Sequence, residues 1–159
     1  MGLDLSSSGT SELPKGLFMH EGATRFDELD ALWVLHHSRL VAHAERLQQA
    51  FFDHVMEPER FDPEVYPDLY VVVREISVKY ETPMKGVGPY VAFLWIKRLR
   101  EAGLTTGFEF WSADRKTRYS YGTRTVCRLS TKTHQPCGWS SDFRERMEPW
   151  ADAARGWTS

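Results

Sequence analysis

The chain has 159 residues, 42% of them apolar, which suits one domain with a packed core and is too short for two independent ones. Its formal charge is −2 with the lysines and arginines scattered, so it lacks the basic footprint of a nucleic-acid or anionic-membrane partner. It also lacks an apolar run near the ~20 residues of a membrane helix, a secretion signal, and cysteines at zinc-site spacing. A cytoplasmic protein without metal or cofactor is expected, with Cys127 and Cys137 as free thiols.

Residues 1–15, "MGLDLSSSGTSELPK", are Ser/Gly-rich and read as a flexible lead-in, and 16–159 as a single domain. Gly16 to Phe26 suits a first strand. After His37 the spacing becomes helical: Leu40, Ala44, Leu47, Phe51 and Val55 fall on one face, with Ser38 as the expected N-cap. Three prolines in "EPERFDPEVYPD" end that helix. Strand-like runs follow. In "YVVVREISVKYE", Ile76, Val78 and Tyr80 alternate with polar residues, while "YVAFLWIKRLR" is apolar on both faces and suits a central strand. "TTGFEFWS" and "YSYGTRTVCRLST" flank the short polar "ADRKTR", a hairpin pattern, and "SSDFRERMEPWADAARG" reads as a terminal helix. The layout is α+β, an antiparallel sheet hiding one face under one long helix.

Between the first strand and that helix lies "ELDALWVLHHSRLVAHAER", residues 28–46. It places Asp30 seven residues before His37, at the start of the helix. A helix start offers unpaired N–H groups and the positive end of the dipole, so the amides of His37 and Ser38 are suited to an oxyanion, Asp30 to a nucleophile or general base, and the His37 side chain to a second catalytic role, orienting a water or contacting the reacting carbonyl. The bland alternative is that Asp30 is a turn residue and the histidines are packing or helix-end donors. Trp33, Tyr80 and Trp95 can line a ligand pocket or be plain core. Arg124 and Arg128, four apart on a strand, share a face suited either to the phosphates of a ligand or to solvent. Glu45, two turns into the helix, can support a partner subunit's site or pair with an arginine, and the paired use is favoured.

The register of Asp30, Val34, Leu35, His36, His37, Ser38 and Glu45 resembles the signature of the 4-hydroxybenzoyl-CoA thioesterase family of hotdog acyl-CoA thioesterases. "ISVKYETPMKGV", with Tyr80, Pro83 and Gly86, is similar to that family's second strand and turn, and "STKTHQPCGWSSDFRERM" to its ending, so the resemblance spans about residues 17 to 148. Three positions depart from it: Trp33 stands where the family usually has Gly, Leu40 replaces a common Tyr, and Arg39 a common Asn. The resemblance implies a hotdog fold, with a sheet wrapped around a central helix. It further implies hydrolysis of acyl-CoA or acyl-carrier-protein thioesters through Asp30, in a homodimer or homotetramer with sites formed between chains. Two other functions stay open: a hotdog dehydratase or lyase, and a non-catalytic acyl-CoA-binding protein in which Trp33 blocks the site.

Overall fold

The computed structural model describes residues 13–58 and 61–154. Most of the expected lead-in, residues 1–12, lies outside them. A first strand, β1 (Phe18–Thr24), leads into a short 3-10 turn (Phe26–Glu28) and the helix α1 (His37–Met56). Four strands follow, β2 (Val71–Tyr80), β3 (Gly88–Leu99), β4 (Gly103–Ser112) and β5 (Arg118–Arg128), then a second helix, α2 (Ser141–Ala154). The strands form one antiparallel sheet in the order β1-β3-β4-β5-β2. The doubly apolar run is therefore an interior strand, β3, although the middle position belongs to β4.

The stripe read from spacing is the buried face of α1: Leu40, Ala44, Leu47 and Phe51 are enclosed, and Val55 packs at the margin. They meet Leu94, Phe108, Phe110 and Val126 from the sheet, and α2 adds Phe143 and Met147 to the same core. Trp139 stacks on Phe143 at 4.2 Å and so seals the junction between the last strand and α2. Helix α1 ends at Glu57, a left-handed residue whose N–H bonds to Asp53 O, immediately before Pro58. No helix among the described residues is long and apolar enough to cross a membrane.

The helix cap lies two residues before the expected Ser38. His36 is the N-cap, its Nδ1 accepting from the Ser38 N–H at 3.3 Å and lying 2.8 Å from Ser38 Oγ. An extended backbone at His36 lets an imidazole do what a serine hydroxyl would do, and Ser38 becomes the second helical residue. On the opposite face of the sheet, Leu17, Val91 and Phe93 form a smaller cluster with Leu13, Met19, Trp95 and Trp111 around it. Trp95 is therefore core of the outer face, remote from any pocket beneath α1.

Candidate active site

Residues 29–35 form a closed loop between the 3-10 turn and α1, stitched by a Leu29–Leu35 bridge and by Asp30 N–H to Val34 O at 2.8 Å. The segment after β2 holds its other side: Leu35 N–H donates to Met84 O and Gly86 N–H to Trp33 O, each at 2.8 Å. Gly86 has φ +74, a conformation that favours glycine, and Thr24 Oγ1 donates to its carbonyl at 2.8 Å. Three chain segments far apart in sequence thus fix one loop.

That loop, the first turn of α1, and the ends of β2 and β5 enclose a hollow of about 290 Å³. Asp30, His37 and Tyr80 line it together, with an apolar lining from Val34, Leu35, Leu40 and Met84. The half-buried Asp30 carboxylate is oriented by its own loop, since Oδ1 accepts from Leu32 N–H at 2.8 Å and from Val34 N–H at 3.2 Å. Oδ2 has no partner among the described residues. The loop bonds therefore occupy one oxygen of the side chain and leave the other free.

At the helix tip the two expected amides differ. The Ser38 N–H is occupied by His36 Nδ1. As the first helical residue, His37 has no intrahelical acceptor for its N–H, and none is found elsewhere among the described residues. Tyr80 steadies this tip by donating its hydroxyl to His37 O at 2.8 Å. Burial raises the Tyr80 pKa, so the phenol stays protonated and able to donate. Two residues that line the hollow thus carry one unpartnered carboxylate oxygen and one unpartnered amide.

The other expected residues lie elsewhere. Trp33 has φ +60, which explains why a glycine suits this position, and its ring is 59% exposed, packing edge-on against Phe26 outside the hollow. Replacing Trp33 by Gly or by Ala removes the same ring, but only glycine escapes the left-handed strain of about 1–2 kcal/mol. The glycine variant is expected to melt about 2–8 °C above the alanine variant in calorimetry. Arg124 and Arg128 do share a face, but it is the face turned toward the helices. Arg124 is only 5% exposed and pairs with Glu45 at 3.5 Å, while Arg128 bonds to Asp68 and to the carbonyl of Gly138. Glu45 is thus the arginine partner, away from the hollow. Alternation places two residues on one side of a strand without saying which side the helix covers.

Sequence spacing did not single out the polar cluster behind the loop. Glu28 is 5% exposed; its Oε2 accepts from His43 Nε2 at 3.0 Å and from Arg25 N–H at 2.9 Å, and Oε1 from Arg46 at 3.1 Å. The other ring nitrogen of His43 lies 2.7 Å from the Tyr90 hydroxyl. A carboxylate can only accept, so His43 carries its proton on Nε2 and takes Tyr90 as a donor on Nδ1. Burial raises the Tyr90 pKa to about 12, against Arg46, whose charge lowers it. Glu28 O also accepts from His36 N–H at 2.9 Å, so this cluster grips both ends of the loop that carries Asp30. The available signal was His43 itself, a histidine on an otherwise apolar helix face, which must find a polar partner inside.

No family model matches the sequence, and no curated protein matches it. Solved structures do match its shape. A predicted thioesterase from Bacillus stearothermophilus superposes with a TM-score of 0.71 at 16% identity, covering 83% of this chain and 94% of that one. The DHNA-CoA thioesterase from Staphylococcus aureus gives 0.75 at 12% identity, covering 90% and 96%. A thioesterase from Thermus thermophilus, complexed with coenzyme A and Zn, gives 0.71 at 14%, covering 87% and 97%. The fold is the hotdog fold. At such identities the likeness speaks for the hotdog architecture, and the chemistry must come from this chain's own hollow.

Proposed function

We propose that this protein hydrolyses thioesters of acyl-CoA or acyl-carrier protein at the Asp30 hollow, as the resemblance to the 4-hydroxybenzoyl-CoA thioesterase family implies. The observation that carries the reading is that one cavity is lined both by an oriented carboxylate with a free Oδ2 and by the residue with the unpaired helix-tip amide. The thioester carbonyl oxygen sits at the His37 N–H, whose donation and helix-end field stabilise the oxyanion; removing one such donor typically costs on the order of 100-fold or more. Asp30 either attacks the carbonyl carbon, forming a mixed anhydride that water then opens, or removes a proton from an attacking water. Both routes end in the free acid and the thiol. That the Thermus thermophilus structure holds coenzyme A in the same architecture supports this carrier.

The site is completed in a homodimer, or a tetramer of two such pairs, in which sheets join edge to edge. Supporting this, β2 is an edge strand that leaves Val72 and Val73 exposed, a row of unpaired backbone groups that a second copy would satisfy. Arg124 and Arg128 are left out of the coenzyme A contacts because both are held by acidic or carbonyl partners on the helix side. Trp33 does not obstruct the hollow of its own subunit.

The test is a panel of short, aromatic and long acyl-CoAs incubated with the purified protein, read by thiol release and mass spectrometry. Free acid with coenzyme A is the expected result. Intact acyl-CoA changed by one water would establish a lyase instead, and ligand-dependent melting without turnover a binding protein.

A further inference from the structure

The face of the sheet turned away from the helices carries a second hollow, of about 300 Å³, in which the mechanism above has no part. Trp95 and Gly107 lie side by side in one cross-strand row there, and Lys79, Tyr121 and Glu109 in the next. The Trp95 indole covers Gly107, where any Cβ would come within 2.4 Å of the ring, so a glycine at this point gives the hollow an aromatic border. Strand β3 bulges just beyond: Ile96 pairs with Thr106 and Arg98 with Thr105, which makes Lys97 the extra residue and brings it into the same lining.

Lys79 and Lys97 are exposed and have no carboxylate partner among the described residues, and the Trp95 Nε1–H has no acceptor among them. These three groups can only donate. Lys79 Nζ stands 5.7 Å from the centre of the Tyr121 ring, a neutral neighbour that leaves its charge unbalanced. The carboxylate in the lining is already spent, since Glu109 Oε2 accepts from Trp111 Nε1 at 2.7 Å and Oε1 from Arg118 at 3.0 Å. Arg118 is held in turn by both oxygens of Glu81. The hollow therefore offers donors and positive charge, and a phosphate supplies the matching acceptors. From this we propose that the outer face of the sheet binds a nucleotide, with its base against the Trp95 indole and its phosphates at Lys79 and Lys97. A cavity of about 150 Å³ holds one benzene ring, so a hollow of about 300 Å³ has room for a base and the sugar phosphate joined to it. Stacking on an aromatic side chain is indifferent to the identity of the base, so the ligand is defined as a class. The sheet separates this hollow from that of Asp30, and joining β2 edges through backbone groups leaves this face open. The inference does not rest on the thioesterase reading.

The probe is ADP, with inorganic diphosphate as the same phosphates without a ring, titrated into the purified protein by calorimetry at low salt. The wild type should bind one ADP per chain, at least about 5-fold more tightly than diphosphate because of the stacked base. Lys79→Ala and Lys97→Ala should each weaken ADP about 3- to 10-fold, and the double variant at least about 10-fold. Their melting temperatures should stay at the wild-type value, since both side chains are exposed and unpaired. Lys132→Ala removes an exposed lysine outside the hollow and should leave the affinity unchanged. Failure to bind ADP at about 1 mM would overturn the inference. So would equal affinity for ADP and diphosphate, which would remove the base contact, or an equal loss in Lys132→Ala, which would reduce the effect to general attraction of an anion. Coenzyme A, titrated into the same variants, separates two sources of this chemistry. An affinity that the double variant leaves intact assigns the site to a free nucleotide, whereas a loss equal to that of ADP keeps the site and assigns it to the nucleotide end of coenzyme A.

Discussion

Asp30→Asn is expected to reduce thiol release from acyl-CoA by about 10²- to 10⁴-fold with little change in melting temperature, the range that loss of a positioned base or nucleophile produces. The two oxygens of the carboxylate separate the roles. An asparagine Oδ1 can still accept from Leu32 and Val34 N–H and keep the loop closed, whereas its amide nitrogen replaces the Oδ2 that faces no protein partner. If Asp30 were only a turn residue, Asp30→Asn would match the wild type in activity. Asp30→Ala loses both loop bonds and the charge, so it should fall in stability by about 1–2 kcal/mol as well as in rate. Full activity in the asparagine variant would remove Asp30 from the chemistry.

The largest effect on stability is expected at Glu28. Its carboxylate is enclosed by His43, Arg46 and the Arg25 amide, and Glu28→Ala would leave the His43 Nε2–H buried without an acceptor. Each hydrogen bond to the charged carboxylate is worth about 1.5–3 kcal/mol, so losing those of His43 and the Arg25 amide costs about 3–6 kcal/mol. For a domain of this size that is a fall of roughly 10 °C in melting temperature. Arg46 is half exposed and contributes little to the total, so the loss is chiefly that of His43 and the backbone amide. Because Glu28 O anchors His36 N–H, the hollow should loosen too, and thiol release should fall together with stability.

Acid should reproduce part of this effect in the wild type. Burial holds the His43 pKa below its usual value of 6.5, overriding the hydrogen bond and charge of Glu28, which raise it. The unfolded chain then takes up a proton near pH 6.5 that the folded chain refuses, so stability declines as pH falls below that point. Burial would raise the Glu28 pKa, but the Arg25 amide, Arg46 and His43 together bring it below 4.5. Its contribution is present above pH 4.5 and is lost as pH falls further, so the two slopes have the same sign. Denaturant melts between about pH 7.5 and 4 should show a continuous decline, with the step below about pH 4.5 missing in Glu28→Gln. Constant stability from about pH 7.5 to 5 would contradict the burial of a neutral His43.

Features set by neighbouring residues could be read from the chain alone. The spacing of Leu40, Ala44, Leu47 and Phe51 requires a one-sided helix whatever the rest does, and alternation and breaker residues mark the strands and the hairpin between β4 and β5, but not the placing of β2 beside β5 at the sheet edge. The loop between Asp30 and His37 was also within reach, because seven positions between a strand and a helix allow both residues to line one hollow. Even here the cap passed from Ser38 to His36, since backbone dihedrals, not residue preference, decide which side chain reaches the free N–H.

What depends on distant partners was decided only when the chain closed up. Ser120 reaches the hollow because β5 pairs with β2 beside Tyr80, and Met84 because the segment after β2 is hydrogen-bonded to Leu35. Arg124 meets Glu45 because the helix covers that face of the sheet, and His43 joins Glu28 to Tyr90 across three separate elements. Periodicity marks which residues share a side, but burial, pairing and the contents of a cavity follow from which surfaces pack together, and that is a property of long-range contacts.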